Sequence, residues 1–467
     1  MTYILAIDQG SHATRAILFD AKGAIVDSAE QSIQLHRLDE HRVEQDADEI
    51  LQSMQNVLAS LTKHKLAETT ACALATQRST VVAWDKITGK PLAPAISWQD
   101  RRSWQDLDQF ASQCSQIKSI TGLPLSPHYS AGKFRWLLNH QPAVQQAATA
   151  HRLCLGTLAS YLMFHLLQQA NHCIDHCNAQ RTLLFDLEQL NWSKTLMDLF
   201  QIPESYLPEC KPVCHDYGRL KHYDIPLRCV SGDQNAAIYA HGPLAEDTAL
   251  VNIGSGAFIL SPCQHPEPES PLLSGLAVSN AFEQHYLVEG TVNGAGAALS
   301  WAQQQWPVAD LNQQLPGWLD QLQHPPLFIN TVGGLGSPWW KKAIAPHFIN
   351  DQNHSLPERY VAIIESIVFL LMDNLRQLQQ LKPIRQLWLS GGLSRVDGLC
   401  QKLSDLSQLP VVRYHQTEAT ARGAAWLASE PSQTDFSQAK NNQSFSPVTN
   451  SGLQQRYAVF HQAIHSL

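Results

Sequence analysis

Two stretches about half a chain apart repeat one pattern. Ile4 to Phe19 reads ILAIDQGSHATRAILF, and Ala249 to Leu260 reads ALVNIGSGAFIL. Each is an apolar strand, a short polar turn centred on glycine, and a second apolar strand, which is the pattern of a β-hairpin. One idea used twice predicts two similar lobes. A chain of 467 residues, 44% apolar and 16% charged, has the length and the apolar material for two sizeable cores.

The segments around these hairpins alternate in type. Asp46 to Leu61 sets Ile50, Met54, Val57, Leu58 and Leu61 at helical spacing. Ala71 to Trp84 reads as strand, turn, strand, and His151 to Leu167 as one strongly apolar helix. Arg228 to Gly232 is a short strand entering a polar turn, and the next element begins at Gln234. In the second half, Tyr360 to Gln379 reads as a long helix. Gln386 to Leu389 reads as a buried strand running into Ser390-Gly391-Gly392. Val396 to Leu406 is expected as a helix, Val411 to Arg413 as a strand and Glu418 to Ala428 as a small-residue helix. Cys263 to Pro271 and Ser429 to Ser451 have the composition of connectors, and a last helix is expected from Leu453 to Ile464. Strands alternating with helices predict an α/β fold.

Several functions are argued against. The net charge is −8 with no basic stretch, so no nucleic-acid partner is expected. There is no run of about 18 apolar residues, so no membrane span is expected. Tyr3 to Ile7 starts as a strand, without the charged and long apolar regions of a secretion signal; the expected location is the cytoplasm. The ten cysteines are scattered and read as reduced core thiols. Cys173 and Cys177 flank Asp175 and His176, and Cys210 and Cys214 lie beside His215. Neither group is a CxxC, and nothing completes a set of four, so zinc is not expected.

Five short segments could carry chemistry. In Asp8-Gln9-Gly10-Ser11-His12-Ala13-Thr14-Arg15, a carboxylate ends a buried strand where a divalent ion could sit. Gly10 lets backbone turn closely around an anion, Ser11 and Thr14 offer hydroxyls, and Arg15 returns positive charge. Gly391-Gly392 follows a strand and precedes a helix, which permits close approach of a ligand. Gly254-Ser255-Gly256 is either a second such loop or simply a hairpin turn. In Ser231-Gly232-Asp233-Gln234, the Asp is either a helix cap or a base for an attacking hydroxyl. Thr76-Gln77-Arg78-Ser79 is a polar cluster in apolar surroundings. Ser97-Trp98-Gln99-Asp100-Arg101-Arg102 suits a polyol, with the indole over the carbon face and charged groups on hydroxyls, or is a surface turn with an ion pair.

The order of these segments resembles the FGGY family of carbohydrate kinases, most closely its glycerol kinase branch. The resemblance covers roughly residues 3 to 428. It is carried by AIDQGSHATRAILFD, RVEQDADEI, TQRSTVVAWDKITGKPLAPAISWQDRR, SGDQNAAI, GGLGSPWW, LSGGLSRVDGLCQKL and EATARGAAWLA. It implies two ribonuclease-H-like lobes of the actin-like ATPase type that close on ATP and Mg²⁺. The N-terminal lobe would span 1–240 and the nucleotide-binding C-terminal lobe 241–430, with a loop and helix over 431–467. Asp8, with Asp233, matches the magnesium-associated carboxylates, and Asp233 also matches the catalytic base. Gly10, Ser11, His12 and Arg15 fall in the first phosphate loop, and Gly254, Ser255 and Gly256 in the second. Gly391, Gly392 and Asp397 fall in the adenosine segment, and Gly334 to Trp340 in a loop lining the cleft. Arg78, Trp98, Asp233 and Gln234 match the substrate site. Family analogy also allows a homodimer.

Departures from the glycerol kinase pattern cluster at the substrate. That pattern has Arg-Glu where this chain has Arg78-Ser79, a tyrosine opposite His128 and a phenylalanine opposite Asn293. Losing the Glu removes a hydroxyl acceptor, and Asn for Phe trades an apolar wall for hydrogen-bonding groups. The expected pocket is roomier and more polar, suited to a longer polyol or a ketose. His12 stands where a second hydroxyl residue is usual. The competing readings are glycerol itself, a non-catalytic binder of sugar or nucleotide, and an actin-like structural protein. The substrate segment TQRST to WQDRR argues against the last.

Overall fold

The computed structural model describes residues 2–341, 344–349, 352–414, 418–429, 436 and 442–467. Both predicted hairpins form. Tyr3–Gln9 pairs antiparallel with Ala13–Phe19, from Ile4 opposite Phe19 to Gln9 opposite Thr14. Thr248–Ile253 pairs antiparallel with Ala257–Cys263, with Leu250 opposite Leu260.

Each hairpin belongs to a sheet of the same plan. The first sheet runs Leu227–Gly232, Thr69–Thr76, Tyr3–Gln9, Ala13–Phe19, Ile25–Ser32. Thr69–Thr76 lies parallel to Tyr3–Gln9, and Leu227–Gly232 parallel to Thr69–Thr76; the other two strands turn back antiparallel. In the second sheet, Gln386–Ser390 and Val411–Arg413 run parallel on one side of Thr248–Ile253. Ala257–Cys263 and Gln284–Val292 run antiparallel on the other, and Leu273–Ser279 and Gln443–Phe445 form the edges. All seven residues of Tyr3–Gln9 are buried, as expected of a central strand covered on both faces.

Helices cover both sheets. Ala47–Ser60 packs on the first through Ile50, Met54, Val57 and Leu58, and Asp46 caps it by accepting from the Asp48 and Glu49 amides. The long helix Leu356–Leu381 opens with the Ser355–Glu358 capping box and packs on the second sheet. Between the sheets lie Asp233–Ala237 and Ala419–Ala428. The latter comes from the second half of the chain but packs on the first sheet, and Arg422 ties it there. That fully buried guanidinium donates to the carbonyl oxygens of Ala240, Phe436 and Gly23.

The strand, turn and strand expected over Ala71 to Trp84 form as Thr69–Thr76 and Val81–Asp85; the chain turns at Ser79, φ 65°, and Val81–Asp85 joins Leu153–Thr157 in a separate small sheet. Two expectations need correction. His151–Leu167 is not one helix: Leu153–Thr157 is a strand and only Leu158–Leu166 is helical. Within Ser429–Ser451, Gln443–Phe445 is a strand; residues 430–435 and 437–441 lie outside the described residues. Among the described residues, the ten cysteines are unbridged and no helix is long and apolar enough to cross a membrane.

Candidate active site

Asp8 is the penultimate residue of the central strand and is almost fully buried. Loss of water and repulsion from Asp233 push its carboxyl up to about 7; Arg15, across the hairpin, opposes this, and Glu418 adds to it. The loop that follows is pinned from below. Gln45 Nε2 donates to the Ser11 carbonyl at 3.0 Å and Gln77 Nε2 to the Gly10 carbonyl at 3.3 Å. The Ser11 hydroxyl accepts from Trp98 Nε1 at 2.8 Å and donates to Gln77 Oε1 at 3.3 Å. His12 is exposed. Thr14 does not offer its hydroxyl to a ligand as expected. It is buried, donating to Gln9 Oε1 at 2.7 Å and lying 2.6 Å from Ser53 Oγ. Arg15 pairs with Glu30 at 2.9 Å and lies 4.0 Å from Glu418, the residue before the interlobe helix.

The second loop is shaped by close backbone contact. The amide of Gly254 donates to the Gly256 carbonyl at 2.8 Å, and those of Ala295 and Ala297 donate to the Ser255 carbonyl at 3.1 and 2.9 Å. The Ser255 side chain is exposed. Gly391 sits at φ 90°, where a Cβ would lie 2.6 Å from the Ile253 carbonyl oxygen. Only glycine allows this approach, which brings Gly391 against the strand that carries the second loop. Asp397 is engaged elsewhere: its carboxylate is 2.8 Å from Arg413 and accepts from Gln443 at 3.2 Å.

One cavity of about 510 Å³ lies between the two halves. Arg78, Trp98, His128, Asp233, Gln234 and Asn293, six of the seven expected substrate residues, line it, and Ser11 reaches it from the first loop. Ser79 does not. It is fully buried below the wall, its hydroxyl donating to the Arg181 carbonyl at 3.4 Å. Asp233 begins its helix directly after a sheet strand, and the stem of Arg78 crosses over Gly232, where a Cβ would meet Arg78 Cδ at 2.6 Å. Arg78 Nε is then 3.7 Å from Asp233 Oδ1. Partial burial raises the Asp233 carboxyl above its ordinary value, against the pull of Arg78.

Several wall residues were not singled out as site residues from the sequence, among them Glu289, Arg181, Phe258 and Arg101. Glu289 is buried and accepts from Arg181 at 2.6 Å and Arg78 at 3.3 Å; burial would raise its pKa, but the two guanidiniums outweigh it and hold it below the usual range. Arg181 is buried as well. Phe258 follows the second loop on its hairpin, and Arg101 lies in the expected polyol segment. Glu289 sits four residues before Asn293, so the signal for it was available; nothing local marked Arg181. Phe258 restores an apolar wall that the sequence reading took to be lost at Asn293. Asn293 itself donates to the carbonyls of Gly333 and Gly334, both at 3.1 Å. His128 stacks edge-on to Trp98 at 5.6 Å and is held neutral, chiefly by burial and then by Arg101, Lys133, Arg181 and Arg78.

Two sheets of one plan, with Ser11 of the first hairpin turn and Phe258 of the second hairpin lining one cavity, define the actin-like ATPase fold. The chain belongs to the FGGY family of carbohydrate kinases: residues 3–228 match its N-terminal domain and 249–429 its C-terminal domain. It is 34% identical over 447 residues to a glycerol kinase of Acinetobacter baylyi, covering 92% of this chain and 90% of that one. The structure superposes on Plasmodium falciparum glycerol kinase with ADP at a TM-score of 0.89, with 24% identity and coverage of 100% of this chain and 98% of that chain. It superposes on a ligand-bound xylulose kinase of Lactobacillus acidophilus at 0.88, with 20% identity and the same coverage. The protein is thus an ATP-dependent carbohydrate kinase by family.

Proposed function

We propose that the cleft phosphorylates a hydroxyl of a sugar or polyol longer than glycerol, with Asp233 as general base. The observation that carries this reading is the single cavity holding Asp233, Arg78, Trp98, His128, Gln234 and Asn293, with Ser11 of the first loop at its edge. A substrate hydroxyl beside Asp233 gives up its proton to the carboxylate while its oxygen forms a bond to the terminal phosphorus of ATP. The bond from that phosphorus to the bridging oxygen breaks, and ADP leaves with the electron pair. Burial lifts the basicity of Asp233, and Arg78 at 3.7 Å keeps it ionised. Trp98 and Phe258 cover carbon, and Gln234 and Asn293 bind hydroxyls.

Gly10, Ser11, His12 and Arg15 on one side and Gly254, Ser255 and Gly256 on the other are assigned to the phosphates, and Gly391 and Gly392 to the adenosine. Asp397 is assigned to the adenosine with them; its carboxylate is held by Arg413 and Gln443 and its side chain stays mostly exposed. Asp8 and Asp233 fit a magnesium ion, since two mutually repelling carboxylates in a buried corner are what a divalent cation relieves. When bound, it supplies charge neutralisation at the phosphates. Sugar contacts fall mainly in residues 1–240 and nucleotide contacts mainly in 241–430.

Phe258 favours a second reading, glycerol, whose short carbon chain one aromatic wall would back. ATP consumption over glycerol, four- and five-carbon polyols and ketopentoses, with Asp233→Asn as blank, separates the two. Turnover of a longer compound, lost in the variant, supports the first reading. Turnover of glycerol alone replaces it with the second.

A further inference from the structure

Cys214 and Cys229 are brought together by register. They stand directly opposite each other in an antiparallel bridge, Cys229 from the strand Leu227–Gly232 and Cys214 from the segment that runs back beside it. The backbone hydrogen bonds flank the pair. The His215 amide donates to the Arg228 carbonyl at 3.1 Å, and the Val230 amide to the Val213 carbonyl at 3.0 Å. That places the two cysteines at a non-hydrogen-bonded position of the ladder, where opposed Cα atoms are about 4.5 Å apart and both side chains leave on one face. Both enter one core, which includes Cys229 and against which Cys214 packs. A disulfide spans Cα separations of about 4.4–6.8 Å, so this pair lies within its reach. Cys210, which the spacing grouped with Cys214, lies instead opposite Ile174 in another sheet.

The two thiols are not equivalent. Cys229 is fully buried, whereas Cys214 is partly exposed. Contact with Cys229 draws the Cys214 thiol below its ordinary value, while Cys214 and burial hold the Cys229 thiol well above it. The accessible thiol is therefore also the one that ionises first, as a reacting cysteine must. The Cys214 thiol also donates to the Leu427 carbonyl of the interlobe helix at 3.6 Å, and Leu227–Gly232 leads directly into Asp233. The pair thus sits where the strand that delivers Asp233 meets that helix.

We propose that Cys214 and Cys229 form a redox pair, which a low-molecular-weight disulfide closes to an intramolecular disulfide and a small thiol reopens. The Cys214 thiolate attacks one sulfur of the small disulfide. A new S–S bond forms, the reagent's S–S bond breaks, and one thiolate leaves with the electron pair and takes up the proton that Cys214 lost. The Cys229 sulfur then attacks Cys214 Sγ and displaces the second thiolate, which takes the Cys229 proton. Two protein thiols are oxidised by two electrons, and the reagent is reduced to two thiols. Closure removes the hydrogen by which Cys214 holds Leu427.

The experiment maps thiols in the full-length wild-type protein. The native protein is incubated with glutathione disulfide, raised until the exposed Cys114 carries glutathione, then quenched in acid, alkylated, digested and read by mass spectrometry. Peptides joined through Cys214 and Cys229 are expected, and dithiothreitol should separate them. In Cys229→Ser, Cys214 should stop at the mixed disulfide with glutathione. In Cys214→Ser, Cys229 should stay a free thiol, with folding of both variants checked by melting temperature. The proposal is overturned if Cys214 and Cys229 are both recovered as thiols from wild-type protein whose Cys114 is modified, or if either is joined to a different cysteine. It is overturned equally if Cys214 stays unmodified in Cys229→Ser.

Discussion

The indole N–H of Trp98 donates to the hydroxyl of Ser11 at 2.8 Å, joining the cavity wall to the turn of the first hairpin, which we propose holds phosphate. Gln77 closes the same circuit by accepting from Ser11 and from Thr80, whose hydroxyl in turn accepts from the Trp98 amide. The two binding regions are therefore one hydrogen-bonded unit. Trp98→Phe keeps the ring and removes the donor. It should lower kcat/KM about fivefold, the worth of a net hydrogen bond of about 1 kcal/mol, and should raise the KM for ATP as well as for sugar. Ser11→Ala should do the same, and the double variant should be little worse than either single one. Steady-state kinetics on the four proteins decides it; additive losses would show that the two sites are not coupled through this bond.

Among the described residues, Glu289 is the only carboxylate bonded to Arg181 and the closer of the two beside Arg78. Glu289→Gln leaves buried cation without compensation and should cost about 3–5 kcal/mol of stability. Urea unfolding measures this directly. A loss below about 1 kcal/mol, the scale of an exposed pair, would mean that water reaches the cluster.

Gly391→Ala forces a Cβ to within 2.6 Å of the Ile253 carbonyl at a backbone angle of φ 90°. The loop must shift, with strain on the order of 1–3 kcal/mol. ADP affinity measured by calorimetry should fall tenfold or more, while sugar affinity measured without nucleotide stays close to wild type. An unchanged ADP affinity would remove Gly391 from the nucleotide site.

His176 is buried with its ring 3.0 Å from Ser279 Oγ, and burial, with the nearby His215, pushes its pKa down to about 4. In the unfolded chain it returns to about 6.5. The unfolded state therefore binds the extra proton between these values. This contribution to stability is complete above pH 6.5 and is lost as the pH falls toward 4, by at most about 3 kcal/mol. His176→Gln should flatten that limb of the stability–pH curve in urea titrations from pH 7 to pH 4. An unchanged slope would place the acid sensitivity on other groups.

What the sequence discloses here follows from how local each cause is. Both hairpins and the helix behind Asp46 are legible because alternation, glycine turns and a capping carboxylate act within a few residues. Leu153–Thr157 hides as the start of a helix because a short, fully buried apolar run carries no period. Ser79 looks like a pocket residue beside Arg78, yet its positive φ turns it under the wall. Arg181 and Glu289 meet 108 positions apart, and no short window contains that pairing. Asp100 bonds Arg102 and not Arg101, a preference between adjacent residues that composition does not reveal.

The helix Ala419–Ala428 bears on how the protein is made. Its alanines 421, 424 and 425 cover the inner face of a sheet whose strands end at Gly232. A ribosome releases that sheet long before the residues that shield it. Until residues 419–428 have been made, the face of that sheet which they cover has no such cover, because the chain must first pass through the whole second sheet before it reaches back. A fragment stopped at residue 240 would keep that surface permanently bare, so the unit that the family models divide in two is, for the cell that makes it, a single object to be completed in one piece.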